Sequence, residues 1–391
     1  MLRNLRNPTT PRLALVVVAL GALVALAVPA GAASGSSADT KLDKALAAFV
    51  GQTGGPPGIA VVVQRGNNPV LHDAGTAVVG QDQPITLTDH TRVASVAKAY
   101  SGATSLAEVS ARKLALDSTL GATLASGLPG MPATWSDITL TQLLQHTSGL
   151  VDFSTSKAFG AALTANLLVP PPPAQLVSYV FADPLLFTPG SKYHYSNTDN
   201  ILVGLMVQAA TGQSYESELA AKVTTPLGLT DTSLPSDSFM IDPYVHGYDI
   251  ENPKQPEDVS ELFAAGWTWA SGGVVATPGD ANAFVRGYVG GELFDAATRK
   301  AQLTFRAGSS EPPGPGTNSA GLAVFRYQTK CGTFYGHTGN TPGYTQFVAA
   351  SKDGTRSASV SINAQITPTV NKSAFPALRK IFELAVCAAA S

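Results

Sequence analysis

Strand signals lie near both ends of this chain, with a long helical and loop-rich stretch between them. Ala60–Gln64 and Val70–Val79 read as two strands joined by the turn Arg65-Gly66-Asn67-Asn68. Far downstream, Gly321–Tyr327, Gly332–Tyr335, Tyr344–Ser351 and Arg356–Ala364 carry the same signal, the last two joined as a hairpin through Lys352-Asp353-Gly354. Strands so distant in sequence can cover their apolar faces by sharing one sheet, with the intervening residues packed alongside. Lys41–Val50 predicts a helix with Leu42, Ala45, Leu46 and Phe49 on one stripe, and Phe375–Ala390 predicts an apolar closing helix. A third helix is expected from Ser95 to about Lys113, burying Ala99, Ala103, Leu106 and Val109. Leu140–Leu144 and Asn200–Ala210 read as helical, while Pro170–Pro173 and Ser309–Asn318 read as loops, the first in extended polyproline form. The expected architecture is therefore α/β (α+β): an antiparallel sheet flanked by N- and C-terminal helices. Residues 33–112 and 272–391 would form that lobe, and residues 113–271 a mostly helical insertion lobe.

At 44% hydrophobic and 13% charged residues over 391 positions, the chain can build a large core and is not a disordered polymer. Lys and Arg total 25 against 27 Asp and Glu, with no basic stripe carrying interleaved aromatics, so no nucleic-acid partner is expected. Six scattered histidines and two cysteines argue against a metal site, and no glycine-rich phosphate or dinucleotide loop occurs. Arg3, Arg6 and Arg12 precede the apolar run Leu13–Val28, and Ala30-Gly31-Ala32 supplies a small-x-small cleavage site. Residues 1–32 thus read as a signal peptide. As a permanent anchor the 16-residue run falls short of the ~20 that a bilayer core requires. The mature protein is expected to be secreted, soluble, unanchored and monomeric. In an oxidising compartment Cys331 and Cys387 are expected to bridge, the alternative being two separate buried thiols.

The chemistry centres on Ser95-Val96-Ala97-Lys98, where positions i and i+3 share one helix face, so that a lysine amine can meet a serine hydroxyl. Serine and lysine recur at this spacing at Ser110–Lys113 and Ser154–Lys157, so spacing alone selects no nucleophile. Two downstream motifs distinguish Ser95: Tyr195-Ser196-Asn197 stands 100 residues on, and His337-Thr338-Gly339 a further 142, opening a predicted strand. This ordered set, with His146-Thr147-Ser148-Gly149-Leu150 and Gly343-Tyr344, resembles the serine β-lactamase and penicillin-recognising superfamily. The likeness runs from about Asp43 to Cys387. It is closest to the secreted D-alanyl-D-alanine carboxypeptidases of actinobacteria, including the placement of both cysteines.

The resemblance implies a two-lobed β-lactamase-like fold, no cofactor, and an acyl-enzyme on Ser95. Lys98 and Tyr195 would manage the proton, Tyr195 as base if a cationic Lys98 stabilises its phenolate. His337 stands where many relatives carry lysine. Asn197 would hold the substrate amide, Thr338 would bond a substrate carboxylate, and Gly339 would permit close approach to the strand. The backbone N–H groups of Ser95 and Asn340 would form the oxyanion hole. Carboxypeptidase relatives have a threonine at the position of Asn340 and an arginine in the preceding strand. Here Phe325 takes the cleft-facing place, and one residue of slip decides whether Arg326 reaches the cleft. His146 and His194 read as structural, whereas Trp267 and Trp269 fit either core or cleft. The expected substrate is a cell-wall peptide cleaved by a carboxypeptidase-like, penicillin-binding enzyme. A β-lactamase or an esterase would use the same machinery, and a sensor of peptidoglycan or β-lactam without turnover is the alternative outside enzymes.

Overall fold

Apolar and small polar residues alternate in Arg356–Ile362, and that alternation fixes how the sheet is covered. In the computed structural model, which describes residues 36–124 and 127–391, Ala358, Val360 and Ile362 face one layer of helices. Ser357 and Ser359 face the other, donating to Asn282 Oδ1 (2.8 Å) and the Pro278 carbonyl (3.3 Å). The expected signal peptide lies outside the described residues.

Among the described residues, eight strands pair into one antiparallel sheet: β1 (Gly58–Arg65), β2 (Asn68–Gly75), β3 (Arg306–Ala307), β4 (Thr317–Ala320), β5 (Phe325–Thr329), β6 (Gly332–Thr341), β7 (Tyr344–Ala350) and β8 (Arg356–Ile362). Their order is β2-β1-β8-β7-β6-β5-β4-β3, so β1 pairs with β8 and the two ends of the chain share one sheet. On one face lie α1 (Ser37–Gly51) and the closing helix Phe375–Ala390. Leu42, Leu46 and Phe49 from the first, and Leu378, Phe382 and Val386 from the second, are buried against Ile59, Val61, Val63 and Phe347. The other face carries α2 (Ala97–Ser110) and Pro278–Gly290, behind which the mostly helical middle of the chain packs in a second core. That middle includes the helix Asn197–Thr211, closed by Gly212 in the left-handed conformation.

Several expectations shift, among them the loop read over Ser309–Asn318, whose last two residues belong to β4, and the helix read from Ser95, which begins at Ala97. The strand predicted over Val70–Val79 ends at Gly75, whose φ of +78° turns the chain away, and Thr76 Oγ1 ties the adjoining loop. The strand predicted over Gly321–Tyr327 is split: residues 321–324 form the turn between β4 and β5, and its Leu322, Ala323 and Val324 are apolar because they plug the helical core. The strand read as Gly332–Tyr335 continues to Thr341, so His337-Thr338-Gly339 lies inside β6 rather than opening a strand. Pro173 is not loop; it opens the helix Pro173–Ser178, because a proline at the first helical position loses no hydrogen bond.

Cys331, in the β5–β6 turn, is bridged to Cys387 in the closing helix, a span of 56 residues. Constraining a loop of that size stabilises by roughly 2–4 kcal/mol in the chain-entropy picture. The double substitution Cys331→Ser/Cys387→Ser is expected to lower unfolding free energy by about that amount. Urea denaturation monitored by circular dichroism checks this, and an unchanged midpoint refutes it.

Candidate active site

Ser95 stands where a short strand meets a helix. Thr91–Arg92 pairs with Val275–Ala276, and Ala94, with φ of +49°, folds the backbone into the single 3₁₀ turn Ala94–Val96 that leads into α2. A non-glycine residue in that region costs of order 1–3 kcal/mol, so the surrounding packing holds the turn in place. Against it lies β6: a Cβ on Gly339 would sit 2.5 Å from the Val93 carbonyl oxygen and 3.0 Å from the Ser95 nitrogen. Only glycine allows that approach.

Lys98 is fully buried, and its Nζ meets Ser95 Oγ at 3.0 Å, Asn197 Oδ1 at 2.6 Å and the Ser271 carbonyl at 2.8 Å. Burial pulls its pKa down to about 7, while the charges of Asp152, Glu311 and Asp199 resist that fall. A neutral amine has two protons to donate and one lone pair. Two acceptors, Asn197 and Ser271, and one hydroxyl, Ser95, match that inventory.

Asn197 begins its helix, and Asp152 fixes it by accepting from the Asn197 backbone N–H (3.2 Å) and Nδ2 (2.9 Å). Asp152 also accepts from the N–H and the hydroxyl of Ser154, so its four lone-pair directions are all used. Ser154 thus enters the cleft as a polar support, while Ser110 bonds Thr298 at the far end of α2.

Tyr195 lines the same cavity as Ser95, its ring 5.0 Å from Lys98 Nζ, and its hydroxyl has no partner besides the Ser95 hydroxyl. Burial raises its pKa well above the ordinary tyrosine value, and the Ser95 hydroxyl offsets only part of this. The resting phenolate expected for Tyr195 is therefore disfavoured; the tyrosine is a neutral hydroxyl, and the lysine is the group brought near neutrality.

His337, on β6, is fully buried. Its Nδ1 bonds the Thr338 carbonyl at 2.5 Å, Phe325 meets it edge-on at 5.0 Å, and burial followed by the Lys98 charge pulls its pKa down to about 3. The bond fixes the proton on Nδ1 and leaves Nε2 without a partner. Thr338 is buried as well, its hydroxyl donating to the Pro312 carbonyl (2.6 Å), so it is not the free carboxylate ligand that the resemblance implies. Asn340 does line the cavity. It accepts from Gln365 Nε2 (2.7 Å) and donates to the Glu311 carbonyl (3.2 Å).

His146, with φ of +54°, packs its ring 4.5 Å from Tyr195. Its Nδ1 faces Asp199 Oδ2 at 2.9 Å, and Ser148 donates to Asp199 Oδ1. Burial drives the Asp199 pKa up and the His146 pKa down, to about 3. Trp267 lines the cleft, whereas Trp269 is core and donates to Glu216 Oε1 (2.6 Å). Arg326 lies with its guanidinium over the Phe305 ring at 4.8 Å and donates to Ser319, away from the cavity lining. Asp152, Ser271 and Glu311 have no motif of their own; in the sequence the acidic pair is visible only as isolated carboxylates in loops.

A half-buried serine paired with a buried lysine at the start of a helix, a tyrosine beside it and a glycine-bearing strand laid against it define a hydrolase of the serine β-lactamase and penicillin-binding superfamily. The Beta-lactamase family profile matches residues 42–381, and the chain belongs to this family. A putative D-alanyl-D-alanine carboxypeptidase of Escherichia coli O157:H7 is 27% identical over 190 residues, 46% of this chain and 43% of that protein, so the match spans less than half the length of this relative. A D-stereospecific amidohydrolase from Streptomyces sp. superposes with a TM-score of 0.73 at 26% identity, covering 84% of this chain and 94% of that one. The D-amino acid amidase of Ochrobactrum anthropi shares the fold, with a TM-score of 0.75 at 21% identity over 89% and 98% of the two chains. Among the described residues, no helix is long and apolar enough to cross a membrane.

Because Asp152 is the largest charge favouring the Lys98 ammonium, Asp152→Asn is expected to move the lysine titration below its value of about 7. NMR of ¹³Cε-labelled lysine reads this directly; an unshifted titration would show that Asp152 acts on Asn197 alone.

Proposed function

We propose that the chain is a secreted acyl-transfer hydrolase that cleaves amide bonds through an ester intermediate on Ser95. The observation that carries this reading is the set of three contacts at Lys98 Nζ together with its pKa near 7. A neutral Lys98 takes the Ser95 proton as Oγ attacks the scissile carbonyl. The tetrahedral oxyanion forms beside the backbone N–H groups of Ser95 and Asn340, an arrangement worth about 3 kcal/mol per donor in other acyl-transfer enzymes. Tyr195 then donates its hydroxyl proton to the leaving nitrogen and recovers one from Lys98, which suits a phenol held neutral. Water enters, loses a proton along the same path and releases the acid. His337, neutral at any working pH, supports the strand and Tyr195 rather than titrating.

The D-alanyl-D-alanine carboxypeptidase reading is the less favoured branch. Such a substrate ends in a carboxylate, yet no Lys, Arg or His lines the cavity among the described residues, and Arg326 is engaged elsewhere. An amide without a terminal carboxylate fits better.

The base must be unprotonated, so acylation is expected to rise with pH, tenfold per unit below about 7, and to level off above it. Ser95→Ala and Lys98→Ala should each lower kcat/KM by at least about 10³-fold. The checks are the pH profile of kcat/KM with an activated ester, and mass spectrometry of the adduct on the Ser95 peptide. An adduct on another residue, or hydrolysis that survives Ser95→Ala, overturns the reading.

A further inference from the structure

The cavity above Ser95, about 380 Å³, is chemically lopsided. One wall is apolar: Phe153, Phe159, Leu163, Phe263 and Trp267, with Phe159 meeting Phe153 at 5.1 Å and Trp267 at 5.7 Å, both edge-on. Its charged lining consists of two carboxylates, Asp152 and Glu311, and no basic side chain lines it among the described residues. Lys98 lies beneath the floor, with every Nζ contact already spent on the protein.

The two carboxylates differ. Asp152 has its lone pairs filled by Ser154 and Asn197, so it contributes a fixed charge. The Glu311 carboxylate is solvent-exposed at the cavity lining, free of hydrogen-bond and ion-pair partners among the described residues, and its backbone carbonyl accepts from Asn340. Desolvation and then the Asp152 charge raise its pKa, against the opposing charges of Lys98 and His194, and a cation bound beside it would favour the carboxylate further. Tyr195 faces the same space: it lines the cavity, is only 8% exposed, and its hydroxyl has no partner besides the Ser95 hydroxyl. A negative cavity repels a substrate carboxylate and attracts an ammonium group.

We propose that the cleft takes amides and esters of apolar α-amino acids with a free ammonium group. The ammonium pairs with Glu311 in the field of Asp152, the side chain lies on the aromatic wall, and the carbonyl carbon meets Ser95. The claim rests on the acyl-enzyme reading above and adds the substrate class. Ser95 Oγ bonds to the carbonyl carbon as the bond to the leaving amine or alcohol breaks. The Ser95 proton reaches that leaving group by way of Lys98 and Tyr195, and water then cleaves the ester to give the free amino acid and regenerate Ser95.

The test compares phenylalanine and leucine p-nitroanilides, both enantiomers of each, with their N-acetyl counterparts, and uses 4-nitrophenyl acetate as a substrate without an amine. At least about a tenfold higher kcat/KM for the free amine is expected from one charge-assisted contact. Glu311→Gln should collapse that preference toward unity, chiefly through KM, with an unchanged melting temperature showing that the variant is folded. Equal or faster cleavage of the acetylated compounds overturns the proposal, as does a preference that survives Glu311→Gln. Ser95-dependent hydrolysis of 4-nitrophenyl acetate with no cleavage of either anilide series overturns it too, but leaves the acyl-enzyme reading standing. If no compound is cleaved in a Ser95-dependent way, the acyl-enzyme reading itself fails.

Discussion

A lysine with no exposure to solvent is the constraint around which this molecule is organised. An isolated ammonium in an apolar interior is prohibitively costly, so the group must be surrounded by acceptors or give up its proton. Lys98 does some of each. Its three contacts come from the turn before α2, the start of the helix at Asn197 and the carbonyl of Ser271, segments brought together only when the helical core has closed. Site and core are therefore one packing problem: the buried helices place the acceptors, and the acceptors make it tolerable to bury the lysine.

Tyr195 is held by similar means. His146 adopts a left-handed backbone conformation while its ring lies against the tyrosine, and Asp199 and Ser148 lock that ring from behind. The clamp also bears on Lys98: the charge of Asp199 joins those of Asp152 and Glu311 in holding the lysine pKa up against burial.

The sheet is legible in the sequence where period-two alternation is strong, as in Arg356–Ala364, or where a short apolar run is buried on both faces, as in Tyr344–Ser351. Tyr344–Ser351 and Arg356–Ala364 lose only terminal residues, and the closing helix Phe375–Ala390 has the limits read from its apolar run. Alternation fails in β6, because Gly336-His337-Thr338-Gly339-Asn340 carries site residues in place of a repeating apolar set. It misleads at residues 321–324, where an apolar tripeptide plugs the helical core from a turn. In the site, Ser95, Lys98, Tyr195 and Asn197 are legible because their chemistry demands fixed residue types at fixed spacing. Asp152, Ser271 and Glu311 are not: a backbone carbonyl has no sequence identity, and a loop carboxylate gains meaning only from the groups that the fold sets beside it.

Those loop carboxylates link recognition to reactivity. Burial lowers the Lys98 pKa, while Asp152, Glu311 and, behind them, Asp199 hold it up, and the balance falls at about 7. An ammonium seated against Glu311 would offset part of that negative field and add a positive charge of its own. Both effects disfavour the protonated lysine, so a cationic substrate would move Lys98 toward the free amine as it binds. A neutral ester would leave the balance where it stands. The same two side chains would then select the substrate and release the base, which gives a reason for anionic residues in a cleft whose base is a lysine that must lose its proton.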